Sequence, residues 1–286
     1  MRLTDRHYWE GLHSGTPASA ARGPITRGRR FKDRLKRLAG SRLWSWTLPY
    51  DDHLLWQVVL PRDLSGMRGR PAVEIGSAPG RFMVRLADTF GVVPFGVEYT
   101  ASGAAANRAA FAAAGYDPAG VIEADVFSPE FQAGCRERFD VVISRGFIEH
   151  FTDPADALAA HRLLLRPGGV LVVQIPNLRG IYRPWTWLFN REQLPLHNLS
   201  IMRLAAFQAL FDGAGLTMLQ CGHHGTFSFW LFTARPSARV MRHVVRLLLV
   251  AQRGLDVLLR LLFGRRGAES AWLSPSLLYV GRKERA

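Results

Sequence analysis

Pro71-Ala72-Val73-Glu74-Ile75-Gly76-Ser77-Ala78-Pro79-Gly80-Arg81-Phe82 is the stretch on which the fold turns. Pro71 opens a short apolar run. The run ends at Gly76, and a second glycine, Gly80, begins a helical pattern. That is strand, tight turn, helix. An acid sits near the strand's end and small residues fill the turn. A turn of this kind lets a ligand press against the backbone where side chains would otherwise block it.

Strands and helices alternate outward from this stretch. The patterning predicts strands over 72–76, 92–98, 120–124, 139–144 and 170–175. Helices are predicted over 81–90, 101–114, 129–138 and 154–165, the last closed by Arg166-Pro167-Gly168-Gly169. Such a βαβα rhythm specifies an α/β fold, a doubly wound parallel sheet with helices on both faces. Ligands of these sheets bind beyond the carboxyl ends of the strands. Further on, 176–200 reads as an irregular aromatic segment and 201–213 as a helix. Residues 216–232 read as one long strand or two, 237–263 as a helix, and 277–281 as a last strand.

The strand ends carry the chemistry. Glu98 ends the second strand about 20 residues past the glycine turn, a placement suited to gripping a ribose diol. Asp125, with the backbone N–H of Val126, follows the third strand and suits an adenine edge. Ser144 and Arg145 follow the fourth and lead to Glu149-His150. The ligand expected is an adenosine derivative. A dinucleotide needs Gly-x-Gly-x-x-Gly, and this turn has no glycine two residues after Gly76, so a nicotinamide cofactor is disfavoured.

These blocks resemble the class I S-adenosylmethionine-dependent methyltransferases, small-molecule types 11 and 23. The first motif of that family, acid-x-Gly-x-Gly-x-Gly, is matched by Glu74, Gly76, Ala78 and Gly80, with alanine at the middle glycine. Phe95-Gly96-Val97-Glu98, Glu123-Ala124-Asp125-Val126, Phe147-Ile148-Glu149-His150-Phe151 and Leu165-Arg166-Pro167-Gly168-Gly169 follow in order. The resemblance spans roughly residues 71–232 and the last strand. It implies a Rossmann-like sheet of seven strands whose last two, from 216–232 and 277–281, form an antiparallel hairpin. It counts Glu74 among the cofactor-binding residues and places the turn of Gly76, Ser77, Ala78 and Gly80 under the methionine moiety and Glu98 on the ribose. Asp125 and Val126 would hold the adenine, with Tyr99 packed against the adenosine and Ser144 and Arg145 lining the pocket. S-adenosyl-L-methionine is the implied cofactor, and a non-catalytic scaffold with the same fold is the alternative.

The implied reaction is in-line displacement of a sulfonium methyl, which needs alignment and exclusion of water. A base is needed only if the acceptor must lose a proton. His150 and His197 are the candidates, and each also reads as a structural, hydrogen-bonded histidine. The acceptor wall is expected from 178–200, with Tyr182, Trp185, Trp187 and His197; the competing reading is that these aromatics only pack a cap. His223-His224 have no second ligand set nearby, so no metal is expected.

The chain has 286 residues and a net charge of +14. Residues 22–42 contribute +8 and residues 234–266 contribute +7, leaving −1 for the rest. The excess belongs to two appendages, which argues against a nucleic-acid groove through the active domain. Residues 1–70 read as a basic helical extension and cap, and 71–286 as the methyltransferase domain, with a helical insertion over 234–270. Within the extension, Tyr8-Trp9 read as a docked arm or a lid. Asp51-Asp52 start a helix that Pro61 is expected to stop. In the insertion, Arg239, Arg242, Arg246, Arg253 and Arg260 fall in one stripe with Asp256 beside it. That helix packs on the sheet, on a second copy in a homodimer, or on an anionic membrane with its arginines at headgroup level. The basic 22–42 stretch is a solvated face or a second membrane contact. The acceptor is then a small molecule or a lipid-linked one. Cys135 and Cys221 fit no disulfide framework, residues 1–10 lack the apolar run expected of a signal peptide, and no run of about 18 apolar residues occurs. A cytoplasmic protein, peripheral on the inner face of the membrane, is the expectation.

Overall fold

The computed structural model describes residues 1–14 and 48–285. The basic 22–42 stretch, with Trp44 and Trp46, lies outside the described residues. Strand β1 (Pro71–Ile75) sits at the centre of a sheet, paired in parallel with β2 (Val93–Glu98) and β4 (Phe139–Arg145). With β3 (Val121–Glu123), β5 (Leu165–Pro176), β6 (Leu216–His224) and β7 (Ser276–Lys283), the order is β3-β2-β1-β4-β5-β7-β6. β7 runs antiparallel to both β5 and β6. The seven-stranded sheet with its terminal antiparallel hairpin is the one expected.

Period-2 alternation splits the strands' apolar residues between two cores. Val73, Ile75, Val142, Leu171, Val173 and Tyr279 fill one face, under α5 (Pro129–Cys135), α6 (Pro154–Leu164) and α8 (Leu204–Ala209). Ala72, Val141, Ile143, Val170, Val172 and Leu278 fill the other. There they meet Met83 and Leu86 of α3 (Arg81–Phe90) and Ala104 and Phe111 of α4 (Ala101–Ala114). Leu55, Trp56, Val59 and Leu60 join them from α2, which spans residues 50–64. Both faces of β1 are therefore covered, which is why its run is continuously apolar.

Helix α2 departs from the sequence reading. It runs from Tyr50–Leu54 through a π-helical turn, Leu55–Val59, into Leu60–Leu64. Pro61 does not stop it. The proline lies in the first turn of the last segment, where its missing N–H is no loss, and the wide turn before it makes room for the ring. The 176–200 segment is not irregular either: α7 (Tyr182–Asn190) and a 3₁₀ stretch, Arg191–Leu196, occupy it. Only the first part of 216–232 is a strand; a 3₁₀ turn, Phe229–Leu231, follows.

Helix α9 (Arg239–Phe263) touches the domain through a narrow face: Gln252, Asp256, Leu259 and Arg260 are its buried residues. The expected arginine stripe is thus interrupted. Arg260 donates to the Leu48 carbonyl at 3.0 Å, and the Asp256 carboxylate accepts from the Tyr50 N–H at 3.0 Å and from Gln252 at 2.7 Å. Pro49, at the N-cap of α2, has no side-chain oxygen to offer the first free N–H groups, and Asp256 supplies one from another helix. Asp256→Ala leaves the buried Tyr50 N–H unpaired, so it should destabilise the fold by about 1–3 kcal/mol in urea unfolding and expose α9 to proteolysis. Unchanged stability would show that this contact does not fix α9.

Candidate active site

The carboxyl ends of β1 to β4 open onto one cleft. After β1 the chain turns back beneath β2, the N–H groups of Gly76 and Ser77 both donating to the Val97 carbonyl, at 3.0 and 3.2 Å. Gly76 and Gly80 have φ of 70° and 84°. A methyl group on Gly80 would lie 2.2 Å from Asn107 Oδ1, and one on Gly76 3.2 Å from the Phe147 ring. Both glycines are therefore required, one by α4 and one by the segment after β4. Asn107 donates to Ser77 Oγ, tying α4 to the turn.

Glu74 is buried at the base of this cradle, and its Oε2 has no hydrogen-bond partner. Burial pushes its carboxyl up to about 8, against the pull of Arg145. Glu98 is held by the N–H and hydroxyl of Thr100, at 3.0 and 2.7 Å. Asp125 accepts from the Phe127 N–H and pairs with Arg2, whose guanidinium lies 4.9 Å over the Tyr99 ring. Val126 and Ser144 are buried, and Arg145 donates to Gln174 at 2.8 Å.

An N-terminal arm covers this end of the cleft. Leu3 donates to the His150 carbonyl and Thr152 to that of Met1. Helix α1 (Arg6–Ser14) follows, and Glu10 caps α4 by accepting from the N–H groups of Ala101 and Ser102. Trp9, Leu12 and His13 join Glu98, Tyr99, Asp125 and Val126 around a cavity of about 400 Å³. Tyr8-Trp9 thus belong to a docked arm that also roofs the cavity. Arg2 carried no sequence signal, because nothing in its neighbourhood shows that it reaches Asp125.

A second cavity, about 550 Å³, shares Gly76, Ala78, Pro79, Arg145, Gly146 and His150 with the first and continues to Leu178, Thr186, His197, Trp230 and Leu231. Three of its lining side chains, Glu149, His150 and His197, stand together. The two imidazole rings are 4.6 Å apart. Each Nδ1 faces a backbone carbonyl, Leu196 at 2.8 Å and Gln193 at 2.7 Å, so Nδ1 carries the proton and Nε2 keeps its lone pair. Burial, then the neighbouring His197, push His150 down to about 4; burial also lowers His197. Glu149 is fully buried, both carboxylate oxygens lack a partner, and burial raises it to about 8. Glu149 went unassigned in the sequence, since its burial is a tertiary property.

Of the two readings open for the aromatics, acceptor wall or packing, Tyr182 and Trp185 follow the second. Tyr182 is wholly buried, its hydroxyl donating to the Leu273 carbonyl and accepting from the Ser228 N–H. Trp185 stacks on Phe232 with centroids 4.5 Å apart and donates to the Thr233 carbonyl. Trp187 is 63% exposed. None of the three lines this cavity. The cause is helical spacing: Tyr182, Trp185, Thr186 and Phe189 share the inward face of α7 and Trp187 turns to solvent. Thr186 and Trp230 line the cavity instead.

The cleft fits an adenosine donor with a cationic amino-acid tail. The unpartnered Glu74 oxygen faces a cradle that only glycine permits, with acids at the ends of the next two strands. A family model described as a methyltransferase domain matches residues 33–221, and the chain belongs to that family. It is an S-adenosylmethionine-dependent methyltransferase of class I fold, and S-adenosylmethionine is its cofactor. No curated protein matches the chain. Among solved structures, a putative sarcosine dimethylglycine methyltransferase from Galdieria sulphuraria is similar at 15% identity, covering 82% of this chain and 85% of that one, with a TM-score of 0.55. Geranyl diphosphate C-methyltransferase from Streptomyces coelicolor A3(2) is similar at 14% identity, 82% and 84% coverage and a TM-score of 0.54. The [4+2]-cyclase SpnF is similar at 16% identity, 82% coverage of each chain and a TM-score of 0.53. At these identities the likeness is one of fold.

Gly80→Ala places a side chain at a positive φ and against Asn107, and should weaken S-adenosylmethionine binding about tenfold or more in calorimetry. Gly66→Ala, where the new methyl meets nothing within 4 Å, is the control. Equal affinities would contradict the cradle.

Proposed function

We propose that the protein transfers the methyl group of S-adenosylmethionine to an oxygen of a small or lipid-linked acceptor. The observation that carries this reading is the wall common to the two cavities, with His150 at the junction. Glu74 takes the methionine ammonium, above the turn of Gly76, Ser77, Ala78 and Gly80. Glu98 takes the ribose hydroxyls, and Asp125 with the backbone of Val126 takes the adenine edge. Tyr99 packs on the adenosine, and Ser144 and Arg145 close the floor. When bound, S-adenosylmethionine supplies a methyl group already activated by its sulfonium charge. The chain's task is to align the acceptor oxygen and keep water out.

His150 and His197 receive that oxygen and ease the loss of its proton. Their uncharged rings and free Nε2 lone pairs support the assignment, and a hydroxyl needs such help more than an amine does. Leu178, Thr186, Trp230 and Leu231 shape the acceptor's side of the cavity. Methyl transfer into a metabolite and lipid extract should yield an O-methyl product. His150→Ala and His197→Ala should lower kcat about 10²-fold or more while S-adenosylmethionine affinity stays within a few-fold. A product methylated at nitrogen or carbon would contradict the acceptor assignment.

The lipid-linked half of the reading is supported by α9. Opposite its buried face, Val240, Leu247, Val250, Leu258, Leu261 and Leu262 are each at least 50% exposed. Arg239, Arg242, Arg246 and Arg253, also exposed, flank them. An apolar stripe in water beside a row of arginines suits an anionic bilayer surface, apolar side chains below the headgroups and guanidinium groups among them. Gln252 of α9 accepts from the Phe229 N–H at 2.7 Å, next to Trp230 at the acceptor cavity. No helix among the described residues is long and apolar enough to cross a membrane. The full chain should float with anionic vesicles. Replacing Arg242, Arg246 and Arg253 by Glu should abolish flotation without changing S-adenosylmethionine affinity. Flotation of that variant, or none of the wild type, would remove the membrane.

Glu74 gives a pH signature. Burial holds its carboxyl at about 8 in the free protein, so it is mostly protonated at pH 7. An arriving ammonium favours the carboxylate, so binding should release about one proton, and affinity should rise with pH until the free-protein value is passed. Calorimetry in buffers of different ionisation enthalpy checks this. The released proton should vanish in Glu74→Gln; a wild-type enthalpy independent of buffer would place the ammonium elsewhere.

A further inference from the structure

We propose that Glu149, His150 and His197 form a site for a divalent cation of the zinc, cobalt or manganese kind, which binds the acceptor oxygen beside the methyl group. Among the described residues, this is the group of histidine and acidic side chains whose ligand atoms all lie within 4.8 Å of one another. Three independent features point to a cation rather than to a packed polar cluster.

The first is the orientation of the rings. Each Nδ1–H is spent on a backbone carbonyl, Leu196 for His150 and Gln193 for His197. That bond fixes the tautomer that presents Nε2 as a lone pair, and it is the outer contact that metal-binding histidines characteristically make. The second is Glu149. A fully buried carboxyl with both oxygens unpartnered is costly unless a positive group arrives. Among the described residues no lysine or arginine pairs with it; the near group is His150 Nε2, 3.8 Å from Oε1. The third is construction. Glu149 and His150 come from one 3₁₀ turn, Ile148–His150, fixed by Leu3 and Asn198 on the chain's own backbone carbonyls. His197 is fixed by its neighbour Gln193 in the preceding 3₁₀ stretch. The ligands therefore sit on supported backbone on one side of the second cavity, leaving the other side open to acceptor.

Two imidazoles and one carboxylate match borderline divalent ions rather than calcium or magnesium, which favour all-oxygen sets. Three protein ligands leave positions free for an exogenous oxygen. A hydroxyl bound there releases its proton to solvent more readily. Its oxygen then forms the new O–CH₃ bond while the pair of the breaking S–CH₃ bond stays on sulfur. The histidines in this way act on the acceptor through the ion. Its role in turnover rests on the methyl-transfer reading above; the binding of the ion does not.

The test uses the tag-free full chain, stripped with chelator and titrated with Co²⁺ alone, followed by visible absorption and calorimetry. One Co²⁺ per chain is expected, with absorption bands of a nitrogen–oxygen site, displaced by Zn²⁺. Affinity should fall about tenfold or more in Glu149→Gln and in His197→Ala, and stay unchanged in His223→Ala, outside the cluster. Thermal melts identify any variant that fails to fold, in which case the other decides. Absence of a one-to-one Co²⁺ complex in the wild type, or equal affinity in the folded variants, overturns the site. S-adenosylmethionine binding, measured separately on the stripped chain, distinguishes that outcome from failure of the methyl-transfer reading.

Discussion

Strand β1 is covered by a core on each face and by a paired strand on each edge, so whatever polar group lies near its carboxyl end is dehydrated. That constraint organises the cleft. Glu74 occupies the position and has an oxygen without a partner. An acid buried in this way is tolerated at a place where a positively charged group comes and goes, and is hard to justify on stability grounds. The glycine turn beyond it exists for the same reason: a cation-bearing ligand can reach the acid only if the backbone stands clear. Asn107 and Phe147 hold that turn from two sides, which makes the cradle a rigid feature of the sheet edge rather than a loop that closes on its ligand.

Much of this was legible in the sequence. The alternation of strands and helices, the acids at successive strand ends and the glycine pair depend on local spacing, and local spacing is what a chain displays openly. The hairpin of β6 and β7 was legible through resemblance, though not the length of β6. Three things were missed, two through local helix geometry and one because it depends on distant partners. Pro61 looked like a stop, yet a wide turn before it lets α2 continue. Tyr182, Trp185 and Trp187 looked like an acceptor wall, yet helical geometry sends one face of α7 into the core and Trp187 to solvent. Arg260 and Asp256 looked like members of a surface stripe, yet they are what fastens α9 to Leu48 and Tyr50.

The two appendages differ in kind. The N-terminal arm adds structure to the cofactor cavity: Arg2 pairs with Asp125, Trp9 meets His150 with ring centroids 5.0 Å apart, and Glu10 caps α4. The arm's side chains are thus part of the cavity wall. Helix α9 adds surface instead, with four buried residues on a helix of 25. Its outward apolar stripe is exposed among the described residues, and its buried face meets the 229–231 turn beside the second cavity. On the proposed reading, cofactor selection and acceptor delivery fall to opposite ends of one cleft, meeting at His150.

On the proposed reading the donor's sulfur lies at that meeting point. A crystal structure of the full chain with S-adenosylhomocysteine tests it most directly. The expected result has the ammonium on Glu74, the ribose on Glu98, the adenine at Asp125 and the sulfur directed into the second cavity toward His150 and His197. A sulfur directed away from those histidines, or an adenine outside the cavity roofed by Trp9, would contradict it.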